Sequence, residues 1–222
     1  MIFVNSSIRQ SVNVKVSAEF VTSAAGAGDF PRDRLAEVAL VGRSNVGKSS
    51  LINALVKQQV ARTSAAPGKT RLANFYRVQR GPARALYLVD LPGYGYARGQ
   101  TRGPQGSAPQ EREFSRLTDE YFSRCGADLH GPRISIAVFL LVDARHPGLA
   151  SDLDAWDWLK SQPCARGVVA TKADKLTRAE RTRHGQKLES LFDVPVPLVS
   201  AQTGEGLEEL WKVIATINRT AP

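Results

Sequence analysis

The chain has few cysteines and no long apolar stretch. Its 222 residues include two cysteines, Cys125 and Cys164, which lack the spacing of a metal site and which we expect to be reduced thiols. The longest apolar run, residues 134–142, is far shorter than the roughly 18 residues that a membrane span needs. Residues 1–10 lack a basic segment followed by an apolar signal core. These absences favour a cytoplasmic protein with no membrane partner.

Acidic side chains are outnumbered. There are 30 Lys and Arg residues against 21 Asp and Glu residues, which gives a net charge of +9 and favours an anionic partner. The excess is concentrated in residues 57–105, where Asp90 is the one acidic residue among the basic side chains Lys57, Arg62, Lys69, Arg71, Arg77, Arg80, Arg84, Arg98 and Arg102. The cluster is either a solvated basic face or a surface for a polyanion.

The order of apolar segments predicts the fold class. Strand-like runs at 38–41, 75–78, 85–89, 134–142, 167–170 and 197–199 alternate with helix-like runs at 48–57, 110–125, 153–161, 178–192 and 207–218. This alternation indicates an α/β fold in three layers, with a mostly parallel six-stranded sheet and helices on both faces. Residues 1–34 show weak periodicity, and we interpret them as an extension that precedes a domain at 35–222.

A phosphate-binding loop follows the first strand-like run of this domain. The motif G-x-x-x-x-G-K-S is formed by Gly42, Arg43, Ser44, Asn45, Val46, Gly47, Lys48 and Ser49. Its backbone N–H groups and the N-terminus of the following helix can surround phosphates. Lys48 would bind the β- and γ-phosphate oxygens, and the Ser49 hydroxyl would ligate Mg²⁺. A strand, this loop and a helix in that order predict a site for a nucleoside triphosphate.

Two later segments supply candidate γ-phosphate sensors. The D-x-x-G sequence of Asp90, Leu91, Pro92 and Gly93 ends a strand, where the carboxylate can bind the Mg²⁺ shell through water. Thr70, after Gly68 and Lys69, is either a second hydroxyl ligand for Mg²⁺ or a plain loop residue. We interpret residues 58–70 as switch I and residues 93–109 as switch II.

The base is predicted from a carboxylate near the end of the chain. In the run Thr171, Lys172, Ala173 and Asp174, the Asp174 carboxylate can accept both the N1–H and the N2–H₂ of guanine, which adenine does not offer. The Lys172 stem can lie along the purine ring. Backbone N–H groups of Ser200 and Ala201 can meet the guanine O6. The expected ligand is therefore GTP or GDP.

These motifs, in this order, resemble the EngB family of ribosome-biogenesis GTP-binding proteins. The resemblance covers residues 35–218 and is most specific in segments 42–53, 67–70 and 90–97. It implies a Ras-like core, Mg²⁺ binding and GTP hydrolysis. The further nucleotide contacts it suggests are Arg71 and Leu72 after Thr70, and Gln202 after Ala201. It also implies a role in assembly of the large (50S) ribosomal subunit and a need for the protein in normal cell division and septation.

Three positions depart from the usual GTPase pattern. Thr171 stands where an asparagine usually contacts the base and the phosphate loop, and Gln202 stands where many GTPases have lysine. Tyr94 follows Gly93 in place of a glutamine that orients the attacking water. We therefore expect slow hydrolysis that uses Lys48, Thr70 and Asn45. Asn45 either ligates K⁺, which would neutralise phosphate charge, or bonds only within the loop.

The basic cluster suggests what the nucleotide controls. We expect Arg98 and Arg102 to face ribosomal RNA in a precursor of the large subunit, with Tyr94, Tyr96 and Phe75 stacking on unpaired bases. We expect the protein to act as a monomer. The alternatives are an ATP-dependent phosphotransferase, which Asp174 disfavours, and a GTPase that acts mainly through protein partners at the division septum.

Overall fold

The computed structural model describes residues 14–62, 72–93, 109–125 and 134–219. Its strands are β1 (Val16–Ala24), β2 (Ala36–Gly42), β3 (Ala73–Arg80), β4 (Leu86–Asp90), β5 (Ile136–Asp143) and β6 (Ala165–Thr171). Its helices are α1 (Lys48–Val56), α2 (Pro109–Phe122), α3 (Ala150–Lys160), α4 (Arg178–Phe192) and α5 (Leu207–Arg219).

All six strands form one sheet, in the order β1-β3-β4-β2-β5-β6. The pairs β2–β4, β2–β5 and β5–β6 are parallel, whereas β3 runs antiparallel to both β1 and β4. Parallel strands end at the same edge of a sheet. Gly42, Asp90, Asp143 and Thr171, the last residues of these four strands, therefore lie along one edge, where open α/β sheets bind their ligands.

Apolar side chains cover both faces of the sheet. Along β2, Ala39 and Val41 join a core that includes residues of α2, α3 and α4, whereas Val38 and Leu40 join a second core with residues of α1 and α5. Every residue of β2 and β5 is buried, as expected for central strands with helices on both faces. The three-layer α/β prediction is confirmed.

Two strand assignments differ from the sequence prediction. Residues 197–199 do not form the sixth strand and make an isolated bridge between Leu198 and Ala170. Pro195 and Pro197 have no N–H to donate, which explains why the pairing stops there. The remaining strand, β1, lies within the predicted extension and pairs with β3 from Val16–Arg80 to Ala24–Ala73. Its largely exposed edge position explains its weak apolar alternation.

The helix boundaries follow local signals. Helix α4 begins with a capping box, in which the Thr177 side chain accepts from the Glu180 N–H and the Glu180 carboxylate accepts from the Thr177 N–H. It ends at Asp193 in a left-handed conformation. Across the described ranges, no helix combines the length and the apolar character that crossing a membrane requires.

Candidate nucleotide-binding site

The phosphate loop connects buried β2 to α1. Asn45 and Gly47 have positive φ values of 62° and 112°, and Gly47 is the residue before the first turn of α1. The φ of Gly47 is one that side-chain-bearing residues rarely adopt, so glycine is required there. This turn directs the loop around the N-terminus of α1, as the motif predicts for a phosphate cradle.

Lys48 lies inside this loop. Its Nζ donates to the Gly42 carbonyl at 3.1 Å and approaches the Arg43 carbonyl at 3.5 Å. Burial lowers the Lys48 pKa, and the Asp90 carboxylate partly opposes that effect. A buried ammonium whose pKa is lowered by burial gains from an anion, so this side chain is suited to bind phosphate.

Ser49 and Asp90 form the candidate Mg²⁺ position. The Ser49 hydroxyl donates to Asp90 Oδ2 at 2.6 Å, and Asp90 Oδ1 is buried without a hydrogen-bond partner among the described residues. Burial raises the Asp90 pKa, while Lys48 and Ser49 lower it. A hydroxyl and an unsatisfied carboxylate oxygen are hard ligands of the kind that Mg²⁺ prefers, so these residues fit the ion, which Asp90 would hold through one of its waters.

The first residue of predicted switch II touches the phosphate loop. A Cβ atom built on Gly93 would lie 3.0 Å from the Ser44 nitrogen and 3.1 Å from Lys48 Nζ. Any side chain at position 93 would therefore enter the space above the cradle. Just before it, the Leu91 N–H donates to the Leu40 carbonyl at 3.2 Å, which fixes this segment to β2. The Gly93 N–H is thus held close to where a γ-phosphate would bind.

Asn53 fixes the start of predicted switch I, which sequence reasoning missed. It is buried on α1, donates from Nδ2 to the Ala61 carbonyl and accepts at Oδ1 from the Ala61 N–H, both at 2.8 Å. A further bond joins Nδ2 to Gln59 Oε1 at 3.0 Å. The signal was a polar residue among the apolar positions of α1. Of the nucleotide contacts predicted at the end of switch I and just after it, Leu72 is half-buried, and Gly68, Lys69, Thr70 and Arg71 lie outside the described ranges.

The residues predicted to recognise guanine lie together just after the end of β6. The Ser200 hydroxyl donates to Asp174 Oδ1 at 2.7 Å, and Lys175 lies 3.2 Å from Asp174 Oδ2. The hydrogen bond from Ser200, assisted by Lys175, lowers the Asp174 pKa and keeps the carboxylate ionised. The Ser200 Oγ also accepts from the Gln202 and Thr203 N–H groups at 3.2 and 3.1 Å. Ser200 therefore fixes both Asp174 and the following turn.

The structure changes the assignment of the donor for guanine O6. The Ser200 N–H, one of two expected donors, already donates to the Glu205 carbonyl at 3.0 Å. That bond closes the turn that carries Gln202. Ala201 is consequently the residue whose N–H we expect to meet the base.

Thr171 and Lys172 connect the guanine side of the site to the phosphate loop. The Thr171 hydroxyl is 2.6 Å from the Val46 carbonyl and 3.1 Å from the Val142 carbonyl. Lys172 Nζ donates to the Asn45 carbonyl at 2.7 Å and to Asp143 Oδ2 at 3.0 Å. The Thr171 hydroxyl thus contacts the phosphate loop, as the asparagine does that is more usual at this position.

We expect replacement of Thr171 by valine, which keeps its shape, to weaken GDP binding about 5- to 30-fold. The change leaves the buried Val46 carbonyl without its donor, a loss of roughly 1–2 kcal/mol. Titration of a fluorescent GDP analogue measures the effect. Thr171→Ser keeps the hydroxyl and should bind like the wild type, and equal affinity of the valine variant would contradict this role.

Two carboxylates that the sequence analysis did not select also support the loop. Asp143, at the end of β5, binds Lys172 and makes two bonds to the Arg145 side chain at 2.9 and 2.7 Å. Burial disfavours its charge, but the bonds from Arg145 and Lys172 outweigh this effect and hold the Asp143 pKa well below its usual range. In addition, Arg43 Nε lies 3.2 Å from buried Asp152 of α3. Asp143 could have been selected from the sequence, because it is a carboxylate that ends a buried strand, as Asp90 is.

A cavity adjoins the guanine side of the site. Its volume is about 550 Å³, and it is lined by Ser50, Asn53, Ala54, Lys57, Gln58, Gln59 and Ala201. The volume lies within the range of small-ligand pockets. Its walls come from α1, from the start of switch I and from the loop that carries the expected O6 donor.

Comparison with known proteins agrees with this geometry. A family model described as "50S ribosome-binding GTPase" matches residues 37–172. A probable GTP-binding protein EngB of Pelotomaculum thermopropionicum is 44% identical, over 89% of this chain and 93% of that protein. The chain belongs to the EngB family of GTP-binding proteins. An EngB-family protein of Thermotoga maritima is 40% identical, over 90% of this chain and 95% of its own length.

Solved structures support the EngB-family fold. A crystal structure of a probable GTP-binding protein EngB aligns with a TM-score of 0.53 and 22% identity, over 83% of this chain and 99% of that one. The structure of Era with MgGDPNP and a 16S ribosomal RNA fragment aligns with a TM-score of 0.65 and 22% identity. This chain covers 56% of that Era chain, and 82% of this chain is aligned. Membership of the EngB family identifies the protein as a GTP-binding GTP hydrolase.

Proposed function

We propose that this GTPase is a slow, Mg²⁺-dependent switch that acts in the cytoplasm on precursors of the large ribosomal subunit. Its RNA-facing surface would be the predicted switch II segment, under the control of the γ-phosphate. Hydrolysis to GDP would then release the precursor. A requirement in cell division would follow indirectly from this role.

The contact of Gly93 with the phosphate loop carries the proposal. Because Gly93 lies against Ser44 and Lys48, a γ-phosphate in the cradle would fix the start of switch II. Arg98 and Arg102 follow within nine residues of that point. The bound nucleotide is thereby connected to basic side chains suited to RNA phosphates.

The structure reduces the number of basic side chains in this cluster that are suited to bind RNA. Arg77 and Arg80, on β3, pair with Glu19 and Glu208 of neighbouring elements, and Arg80 also lies 5.3 Å from the Trp211 ring centre. These two arginines are therefore less suited to bind RNA. Of the seven basic residues that remain, Arg84 lies between β3 and β4, away from the predicted switches. The other six lie in the predicted switches or flank them: Lys57, Arg62, Lys69, Arg71, Arg98 and Arg102.

The prediction that Phe75 stacks on RNA bases is wrong. Its ring is completely buried and packs against Phe30, Tyr87 and Tyr121 with ring centres 5.7–6.3 Å apart. Phe75 packs in one core and its neighbour Tyr76 in the other, because both faces of β3 are covered. Tyr94 and Tyr96 lie outside the described residues, so their stacking stays a prediction.

The proposed role predicts nucleotide-dependent binding to precursors of the large subunit. With a non-hydrolysable GTP analogue the protein should cosediment with them, and with GDP it should not. Arg98→Glu with Arg102→Glu should reduce this binding at least 10-fold without changing GDP affinity. The control Lys160→Glu with Lys212→Glu makes the same change in net charge on exposed faces of α3 and α5. Unchanged cosedimentation of the switch II variant, or recovery only with division proteins, would contradict the proposal.

We also propose that K⁺ accelerates hydrolysis through Asn45. The left-handed backbone of Asn45 lies in the phosphate loop beside Ser44 and Val46, where a monovalent cation could neutralise phosphate charge as an arginine finger does.

Hydrolysis should consequently be at least several-fold faster in KCl than in NaCl at equal ionic strength. Asn45→Ala should remove the difference while leaving GDP bound, because the backbone carbonyl that binds Lys172 is retained. Release of phosphate under single-turnover conditions measures the rates. Identical rates in the two salts would rule out the K⁺ site.

A further inference from the structure

We propose that Cys125 and Cys164 are a peroxide-sensitive dithiol that closes an intramolecular disulfide between the end of α2 and the segment before β6. The two residues are 39 positions apart in the sequence, and nothing in their spacing indicates that they meet. This reaction is independent of nucleotide binding and of the role in ribosome assembly.

Three contacts bring the two thiols together. Phe122, in the last turn of α2, packs edge-to-face on Trp158 of α3 with ring centres 5.1 Å apart. Cys125 lies three residues later in the same apolar core, and Cys164 packs against that core. The two thiols are neighbours in this core, since each is the largest influence on the other's pKa, through hydrogen bonding between their side chains.

The two thiols have different surroundings, which suits them to different steps. Cys125 is 5% exposed, whereas Cys164 is half-buried and therefore more accessible to a small oxidant. Arg166 donates to the carbonyls of Leu159, Gln162 and Cys164, which holds its guanidinium beside Cys164. The hydrogen bond from Cys125, together with the positive charge of Arg166, lowers the pKa of the Cys164 thiol. Cys164 is thus the thiol that peroxide should attack first.

The chemistry balances with hydrogen peroxide as the oxidant. The Cys164 thiolate sulfur attacks one peroxide oxygen, the O–O bond breaks, and the released hydroxide takes up the thiol proton to form water. Cys125 sulfur then attacks the Cys164 sulfenic acid, the S–S bond forms, and the S–O bond breaks. The departing hydroxide takes the Cys125 proton. Two thiols and one peroxide thereby give one disulfide and two waters.

The disulfide would restrain the helix that follows switch II. Helix α2 starts at Pro109, the last residue of the predicted switch II segment, and ends at Phe122 near the cysteine pair. A covalent link at its C-terminal end closes a long chain loop, which restricts the unfolded state and local opening of the helix. Oxidation should therefore slow hydrogen exchange in the last turn of α2.

The test uses the full chain with GDP and Mg²⁺ bound. After treatment with hydrogen peroxide and alkylation under denaturing conditions, peptide mapping should give one cross-linked peptide that contains Cys125 and Cys164. The Tm should rise by roughly 5 °C and return to the starting value after reduction by a dithiol. Cys164→Ala, at the half-buried position, should fold normally and lose both effects. In Cys125→Ala, a sulfenic-acid probe should label Cys164.

Three results would overturn the proposal: both thiols remain alkylatable after peroxide, the disulfides form only between molecules, or Cys125 is oxidised before Cys164. Should Cys125→Ala fail to fold, the rates of labelling of the two thiols in the wild-type protein still decide the order of attack. Normal GTP hydrolysis by Cys164→Ala would show that a failed redox test leaves the proposed nucleotide switch intact.

Discussion

Replacing Asp174 by asparagine is expected to abolish guanine preference while leaving the fold intact. GDP affinity should fall by about 30- to 3,000-fold, because a charge-assisted pair of bonds to the base is worth roughly 2–5 kcal/mol. Binding of xanthosine diphosphate should rise, since the asparagine amide can donate to the carbonyl that replaces the N2 amino group. Competition against a fluorescent nucleotide measures both affinities.

The position of Asp174 explains the size of this effect. Ser200 donates to one carboxylate oxygen and Lys175 pairs with the other, so the side chain is charged and oriented before a base arrives. Asp157→Asn makes the same chemical change at an exposed position on α3 and should leave both affinities unchanged. Guanine affinity within a few-fold of the wild type in Asp174→Asn would contradict the assignment of the base.

The sequence predicts those parts of the site that depend on local geometry. Gly47 must adopt a positive φ, and Ser49 must follow Lys48 on the first turn of α1. Asp90 must end a strand. Each of these requirements restricts the residue types at adjacent positions, so it can be recognised in the sequence. Buried strands can be recognised in the same way, since a continuous apolar run such as β5 needs helices on both faces of the sheet. The fold class and the nucleotide motifs could therefore be predicted.

Contacts between distant segments were not predictable in the same way. Asp143 and Lys172 are 29 positions apart, and Thr171 and Val46 are 125 apart, so their meeting depends on the order of strands in the sheet. The same holds for β1, whose exposed edge carries few apolar residues. Charge alone was also misleading, because Arg80 meets its partner Glu208 across 128 positions.

Lys48 illustrates how the site favours ligand binding over the stability of the nucleotide-free protein. The residue is 8% exposed, and burial lowers the Lys48 pKa despite the nearby Asp90 carboxylate. The charged lysine therefore destabilises the nucleotide-free fold at neutral pH. As pH rises from the folded pKa towards the ordinary value of 10.5, the unfolded chain holds more protons than the folded one, and this destabilisation disappears. Nucleotide phosphates would remove the same penalty by supplying negative charge.

Lys48→Met is therefore expected to separate binding from stability. GTP affinity should fall at least about 100-fold and hydrolysis about 1,000-fold, because the phosphates lose their buried cation. The nucleotide-free Tm should equal or exceed that of the wild type at pH 7, and the difference should shrink as pH rises. Tyr76 and Tyr87, whose pKa values burial raises to about 12, are common to both proteins and cancel in the comparison.

Calorimetry across pH and nucleotide titration test this expectation, with Lys160→Met on the exposed face of α3 as the matched control. The control should retain nucleotide affinity and the pH profile of the wild type. A much lower Tm of nucleotide-free Lys48→Met would mean that the bond to the Gly42 carbonyl outweighs the burial of the charge, so that Lys48 stabilises the empty loop. Retained GTP affinity would instead remove Lys48 from the phosphate site. Loss of GTP binding with an undiminished Tm is the result expected if the buried Lys48 ammonium serves to bind phosphate and does not stabilise the empty loop.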